Sequence, residues 1–201
     1  MIYRGASDCK KAIVVASGPS ASDFSPPDGI VIIAVNGAIE WLSRADYFFT
    51  LDPSEINLRR IYNPVARVKY TAAVPFDIRL PCWVQRFERI DLQQDEPPDK
   101  YSPHWWLWRW SAVCRLSEDK KSIHTGNSAW GALGLAYHLG FTDIALVGVD
   151  ATSDPRIEGG MPQNLTHLPL LFSSALDQVN VVSCGELNGI PKVSLKEWLD
   201  D

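Results

Sequence analysis

Four short apolar runs, rich in β-branched residues, recur along the chain and are continuous rather than alternating: Ala12–Ala16, Ile30–Val35, Tyr47–Leu51 and Ile144–Val149. Continuous runs of this length belong to strands buried on both faces, the condition of a parallel sheet. A fifth run, Val179–Ser183, lies near the C-terminus, and a weaker one around Val65–Tyr70. Between them the pattern predicts helices over Gly37–Arg44 and Ser128–Leu139, the second ending at Gly140, a residue suited to the left-handed turn that closes a helix. Only Ser128 and His138 are clearly polar in that second segment, so it is expected to be sandwiched between the sheet and other structure. Strand and helix in alternation argue for an α/β fold of the Rossmann-like, doubly wound kind, with a mostly parallel sheet. No internal repeat is present.

The middle of the chain breaks this rhythm. From about residue 75 to 121, Pro75, Pro81, Pro97, Pro98 and Pro103 interrupt any long element, and Asp91–Lys100 is polar enough to predict an exposed loop. His104–Trp110 (HWWLWRW) follows, with four of the chain's eight tryptophans. Such a cluster is expected to be buried, in the core or at a homo-oligomer interface, with an acceptor platform of stacked rings as the alternative role for Trp105–Trp110. The expectation is one nucleotide-binding α/β domain over residues 1–201, carrying an irregular Trp-rich insertion at 75–121.

Composition changes this picture little. The chain has 201 residues, 46% hydrophobic and 21% charged, which suits one folded domain. A formal net charge of -5 offers no general attraction to nucleic acid or anionic lipid. Met1–Lys11 lacks the apolar run of a signal peptide, and no stretch approaches the roughly 20 apolar residues of a membrane span, so a cytoplasmic protein is expected. Cys9, Cys82, Cys114 and Cys184 are widely spaced, without a C-x-x-C pair, and read as buried or idle thiols rather than a zinc site or disulfide framework.

In an open parallel sheet, ligands bind outside the carboxyl ends of the strands, so the residues after each strand carry the chemistry. After the first come Ser17, Gly18, Pro19 and Ser20, a turn that permits close backbone approach and offers hydroxyls to an anion, or is simply tight. It is neither a G-x-G-x-x-G fingerprint nor a P-loop. Asn36 follows the second strand, with a donor and an acceptor for a base edge or ribose, in an Asn-Gly pair that also makes ordinary turns. Asp52 follows the third and suits a ribose, a magnesium ion or a helix cap. Thr125, Gly126, Asn127 and Ser128 precede the apolar helix, where unpaired amides favour an anion, or where Asn127 or Ser128 merely caps. Asp150 ends the next strand and is expected to face the same crevice.

Taken in order, VVASGPS, IIAVNGAIEWL, ADYFFTLDP and HTGNSAWGALGLAYHLGFTDIALVGVD resemble one superfamily. It contains the family-42 sialyltransferases, the motility accessory factors and the archaeal hydroxymethyl-dihydropterin diphosphokinases. VVSCGELNGIPKVSLKEWL resembles the ending of short phage and prophage members. The resemblance covers roughly 11–53 and 124–199 and leaves the middle unmatched. It implies that Ser17, Gly18 and Ser20 approach a donor's phosphate and that Asn36 contacts base or sugar. It also implies that Thr125–Ser128 meet phosphate and ribose, with the Asp150 carboxylate beside them. The sialyltransferases carry tyrosines shortly after that aspartate; Ala151–Asp154 has none. Their histidine base has one candidate here, His167, in a stretch that reads as a mobile lid or as an ordinary loop.

The leading expectation is therefore a transferase using a nucleotide-activated donor, a glycosyltransferase with a CMP-type sugar. His167 and Asp150 are its catalytic candidates, and no metal is firmly implied. A magnesium-dependent diphosphokinase with Asp52 and Asp150 as ligands is the alternative, and a non-catalytic nucleotide-binding module the third reading.

Overall fold

The computed structural model describes residues 10–201; Cys9, and most of the Met1–Lys11 stretch, lie outside the described residues. The first half supplies β1 (Lys11–Val15), β2 (Val31–Val35), α1 (Ala38–Trp41), β3 (Tyr47–Thr50), α2 (Glu55–Tyr62) and β4 (Lys69–Ala72). The middle supplies β5 (Gln85–Arg86), β6 (Glu88–Ile90) and α3 (Pro103–Arg109). Then follow β7 (Ser122–His124), α4 (Ser128–His138), β8 (Asp143–Val147), α5 (Leu168–Ser173), β9 (Asn180–Ser183) and α6 (Leu195–Asp200). The order β5-β4-β3-β2-β1-β8-β9 makes a seven-stranded sheet, parallel in every pairing, and β6 pairs parallel with β7 in a second, two-stranded sheet. The expected Rossmann-like α/β fold is what the chain adopts.

The continuous apolar runs follow from this layering. Along β1, Val14 faces one core with Ile33, Phe49, Trp130 and Leu133, while Ile13 and Val15 face the other with Ile32, Phe48, Ile61 and Trp198. Neighbouring residues on a strand point to opposite faces, so a strand covered on both sides is apolar at every position. The apolar helix α4 packs on β1, β2, β3 and β7, as its composition predicts. It lies so close that a Cβ on Gly131 would stand 2.5 Å from Phe49 Cε1. Gly140 closes it with a φ of +83°.

Several boundaries differ from expectation. The segment Gly37–Arg44 is helical only over Ala38–Trp41, because Leu42 turns extended and Arg44 bonds the carbonyls of Pro27 and Ile30 and the Asp46 carboxylate. The weak strand around Val65–Tyr70 starts later, at Lys69; Arg67 before it has a φ of +71°, which no strand accommodates. The tryptophan run is the helix α3, capped by the Ser102 hydroxyl. It buries Leu107 and leaves Trp105, Trp106, Trp108 and Trp110 half-buried, in contact with one another and with Tyr101. Cys82 and Cys114 lie at the surface and Cys184 is half-buried, its thiol pushed up to about 11 by burial. Among the described residues no helix is long and apolar enough to cross a membrane.

Candidate functional site

The order of strand addition reverses between β1 and β8: β2 to β5 build outward on one side of β1, β8 and β9 on the other. That reversal opens a crevice at the strands' carboxyl ends. Two adjoining cavities occupy it, of about 110 Å³ and about 630 Å³. Ser17, Gly18, Pro19 and Asp150 line the smaller; Asp52, Thr125, Gly126 and His167 line the larger; Asn36, Asn127 and Ser128 line both. Gly18 and Gly126 therefore sit at one end of the fold. Ser20 lines neither cavity.

Asp150 holds the floor of the crevice together. Its carboxylate accepts from the Ser20 amide (2.9 Å), the Ser20 hydroxyl (2.7 Å) and the Glu186 amide (2.7 Å), tying the ends of β1, β8 and β9. The Gly18 amide donates to the Gly148 carbonyl at 2.8 Å, and Gly148 N donates to Ser20 Oγ at 3.2 Å. Glycine is required at 18 because a Cβ there would collide with the Asp150 carboxylate and stand 2.6 Å from the Gly148 carbonyl. Close approach was the expectation, but the partner is the protein's own carboxylate. The Gly18 and Ser20 amides already have acceptors within the protein.

The Thr125 loop differs in the same way. Thr125 is buried, and its hydroxyl lies 2.5 Å from the Ile90 carbonyl, 2.7 Å from that of Ser111 and 2.9 Å from the Asp91 carboxylate. It joins β6, β7 and the end of α3 rather than offering itself to the crevice. Gly126 makes room for Leu171 and Trp130, 2.6 and 2.8 Å from a Cβ built there. Asn127 is the N-cap of α4, its Oδ1 accepting from Trp130 N at 2.8 Å, and the Ser128 hydroxyl accepts from Leu51 N at 3.2 Å. Asn127 thus both caps α4 and lines the cavities, while Ser128 lines them and ties α4 to the end of β3. Ser17 Oγ accepts from the Trp41 indole at 3.3 Å.

Asp52 takes the cap-like role, accepting from Ser54 N (3.0 Å), Ser54 Oγ (2.9 Å) and Asn57 Nδ2 (2.9 Å) at the start of α2. It lines the larger cavity and Asp150 the smaller, and the carboxylate of each accepts from three donors. Among the described residues no group of three or more His, Cys, Asp or Glu side chains gathers as metal ligands would.

Two of the site residues named from sequence keep buried polar atoms without a partner. Asn36 has a φ of +50°, a left-handed conformation asparagine tolerates, and its buried Oδ1 has no partner. His167 is 2% exposed, both ring nitrogens lack partners, and burial pushes its pKa down to about 4. It stands at the N-terminal boundary of α5, buried and neutral at physiological pH, in the stretch that sequence leaves open between a mobile lid and an ordinary loop.

Other lining residues escaped the sequence reading. Arg60 is buried, donating to Glu40 at 2.9 and 3.1 Å and to Asn57 Oδ1 at 2.7 Å; its guanidinium holds the Glu40 carboxyl below the usual range. Arg89 pairs with Asp91 at 2.8 Å, and Trp110 borders the larger cavity with a buried indole N–H that has no partner. Arg156 and Glu158 line both cavities from the segment after Asp150. Its high glycine and proline content (DPRIEGG) was the available signal.

No protein-family model and no curated protein matches the chain. Among solved structures it is similar to the MAf glycosyltransferase from Magnetospirillum magneticum AMB-1, with a TM-score of 0.57 and 16% identity. The two are alike in fold. The match covers 91% of this chain but 33% of the other, so this chain spans about a third of that protein's length.

Proposed function

We propose that the chain is a transferase using a nucleotide-activated donor, a glycosyltransferase with a CMP-type sugar. The observation that carries the reading is Asn36, whose buried side-chain oxygen has no donor, at the junction of both cavities. An unmet buried acceptor costs about 1–3 kcal/mol, and an amino or hydroxyl group of a nucleoside would recover it. The N-terminal end of α4 borders the same space, where amides and the helix dipole favour a phosphate. The fold shared with a glycosyltransferase agrees with this reading.

In the reaction, the acceptor's hydroxyl oxygen attacks the sugar's anomeric carbon. The bond from that carbon to the nucleotide phosphate breaks, its electron pair leaving on the phosphate. His167 takes the hydroxyl proton: a neutral imidazole has a free lone pair at every pH near 7, though burial makes it a weak base. The larger cavity has room for the sugar and the acceptor group.

Thermal shifts with a panel of nucleotides, with and without magnesium, test the reading. Metal-independent stabilisation by CMP or CDP supports it. Magnesium-dependent stabilisation by ATP turns the assignment to a diphosphokinase, and binding without turnover across donors and acceptors to a non-catalytic module.

A further inference from the structure

A nucleotide phosphate placed in the smaller cavity meets an acidic lining: Asp150, Asp154 and Glu158. The Gly18 and Ser20 amides are already engaged within the protein, so they cannot offset that charge. Arg156 is the one cation among the residues lining this cavity. The larger cavity adds Arg60 and Arg89, but these are paired with Glu40 and Asp91. No carboxylate pairs with Arg156 among the described ion pairs, and its side chain is exposed at the seam of the two cavities.

The backbone sets Arg156 there. Ile157 N donates to the Ser17 carbonyl at 2.9 Å, hooking the segment onto the loop after β1. Arg156 N donates to Gly160 O at 3.0 Å and Gly159 N to Arg156 O at 2.9 Å, closing a tight turn. Gly159 and Gly160, at φ +90° and +82°, permit it. On the same turn, Glu158 lies over Gly37, where a Cβ would strike its carboxylate.

We propose that Arg156 is the residue that holds the phosphate of a bound nucleotide, supplying the positive charge the strand loops lack. The inference rests on the transferase reading and adds the anchor of its donor. A planar guanidinium gives two parallel charge-assisted hydrogen bonds to phosphate oxygens, and its charge does not depend on pH.

The test is calorimetric titration of CMP into the wild-type chain, R156Q and R156K, each at low and high sodium chloride. R156Q is expected to weaken CMP binding roughly 10- to 100-fold and to flatten its salt dependence. R156K, which keeps the charge, is expected to recover part of the loss and all of the salt dependence. CMP binding within about twofold of wild type in R156Q overturns the assignment and leaves the transferase reading standing. So does R156K behaving as R156Q does, which would mean that the positive charge at 156 is not what holds the phosphate. Failure of the wild-type chain to bind CMP or any other nucleotide overturns both.

Discussion

Ser20 gives both its backbone amide and its hydroxyl to the carboxylate of Asp150, at 2.9 and 2.7 Å, across 130 residues of sequence. The pair bridges β1 and β8, where the order of strand addition switches sides. A third donor, Glu186 N at 2.7 Å, brings in the end of β9. The carboxylate thus ties the loop after β1 to the ends of β8 and β9 at the floor of the crevice.

Replacing the buried Asp150 by alanine would take away the charged acceptor shared by Ser20 and Glu186. A lost charged acceptor costs about 1.5–3 kcal/mol per bond, not additively, so D150A is expected to lower unfolding stability by roughly 3 kcal/mol. D150N, which keeps one oxygen, is expected to fall between. Urea unfolding measures both; a D150A stability equal to wild type would contradict the account.

Gly131 in α4 offers a test of how closely helix and sheet approach. In an exposed helix interior, glycine to alanine gains about 1 kcal/mol. Here the new Cβ would stand 2.5 and 2.8 Å from the Phe49 ring, which is itself fully buried and cannot retreat. Overpacking of this kind costs about 1–3 kcal/mol, which outweighs the helix propensity. G131A is expected to melt below wild type, as differential scanning fluorimetry would show.

The strands were readable because burial on both faces leaves an unbroken apolar signature, and α4 because it is apolar nearly all round. Helix α2 was not, since two of its three buried residues are the polar Asn57 and Arg60, which bond each other and reach Asp52 and Glu40 outside the helix. The positions after each strand were readable as a group, because topology sends them all to one end. Their individual roles were not. Sequence marks Gly18 and Gly126 as places of close approach without saying that the approaching atoms belong to Asp150, Leu171 and Trp130. Nothing local to Arg156 says that its loop hooks back onto Ser17.

Asn36 separates stability from binding. Its left-handed backbone suits glycine better than any other residue, and removing its side chain deletes an unmet buried acceptor. N36G is therefore expected to match or exceed wild-type stability, by up to about 1 kcal/mol. If the oxygen serves a nucleoside, the same variant loses about tenfold or more in CMP affinity. Parallel unfolding and titration experiments check the two halves. A variant that is both stable and undiminished in binding would remove Asn36 from the site.

His167 predicts how the fold responds to acid. Its pKa is about 4 in the folded chain against an ordinary 6.5, so the unfolded chain takes up a proton that the native state refuses. Above pH 6.5 neither state is protonated and the histidine leaves stability unchanged. Between pH 6.5 and 4 the unfolded state binds more protons, and stability falls with pH by at most about 1.4 kcal/mol per unit. The whole loss is on the order of 3 kcal/mol and is complete below pH 4. H167Q, close in size and without a titrating ring, should remove this component and leave the carboxylates' share. Urea unfolding of both proteins from pH 7.5 to 4 measures the difference directly. Parallel curves for the two would mean that His167 reaches water in the native state and takes its proton there.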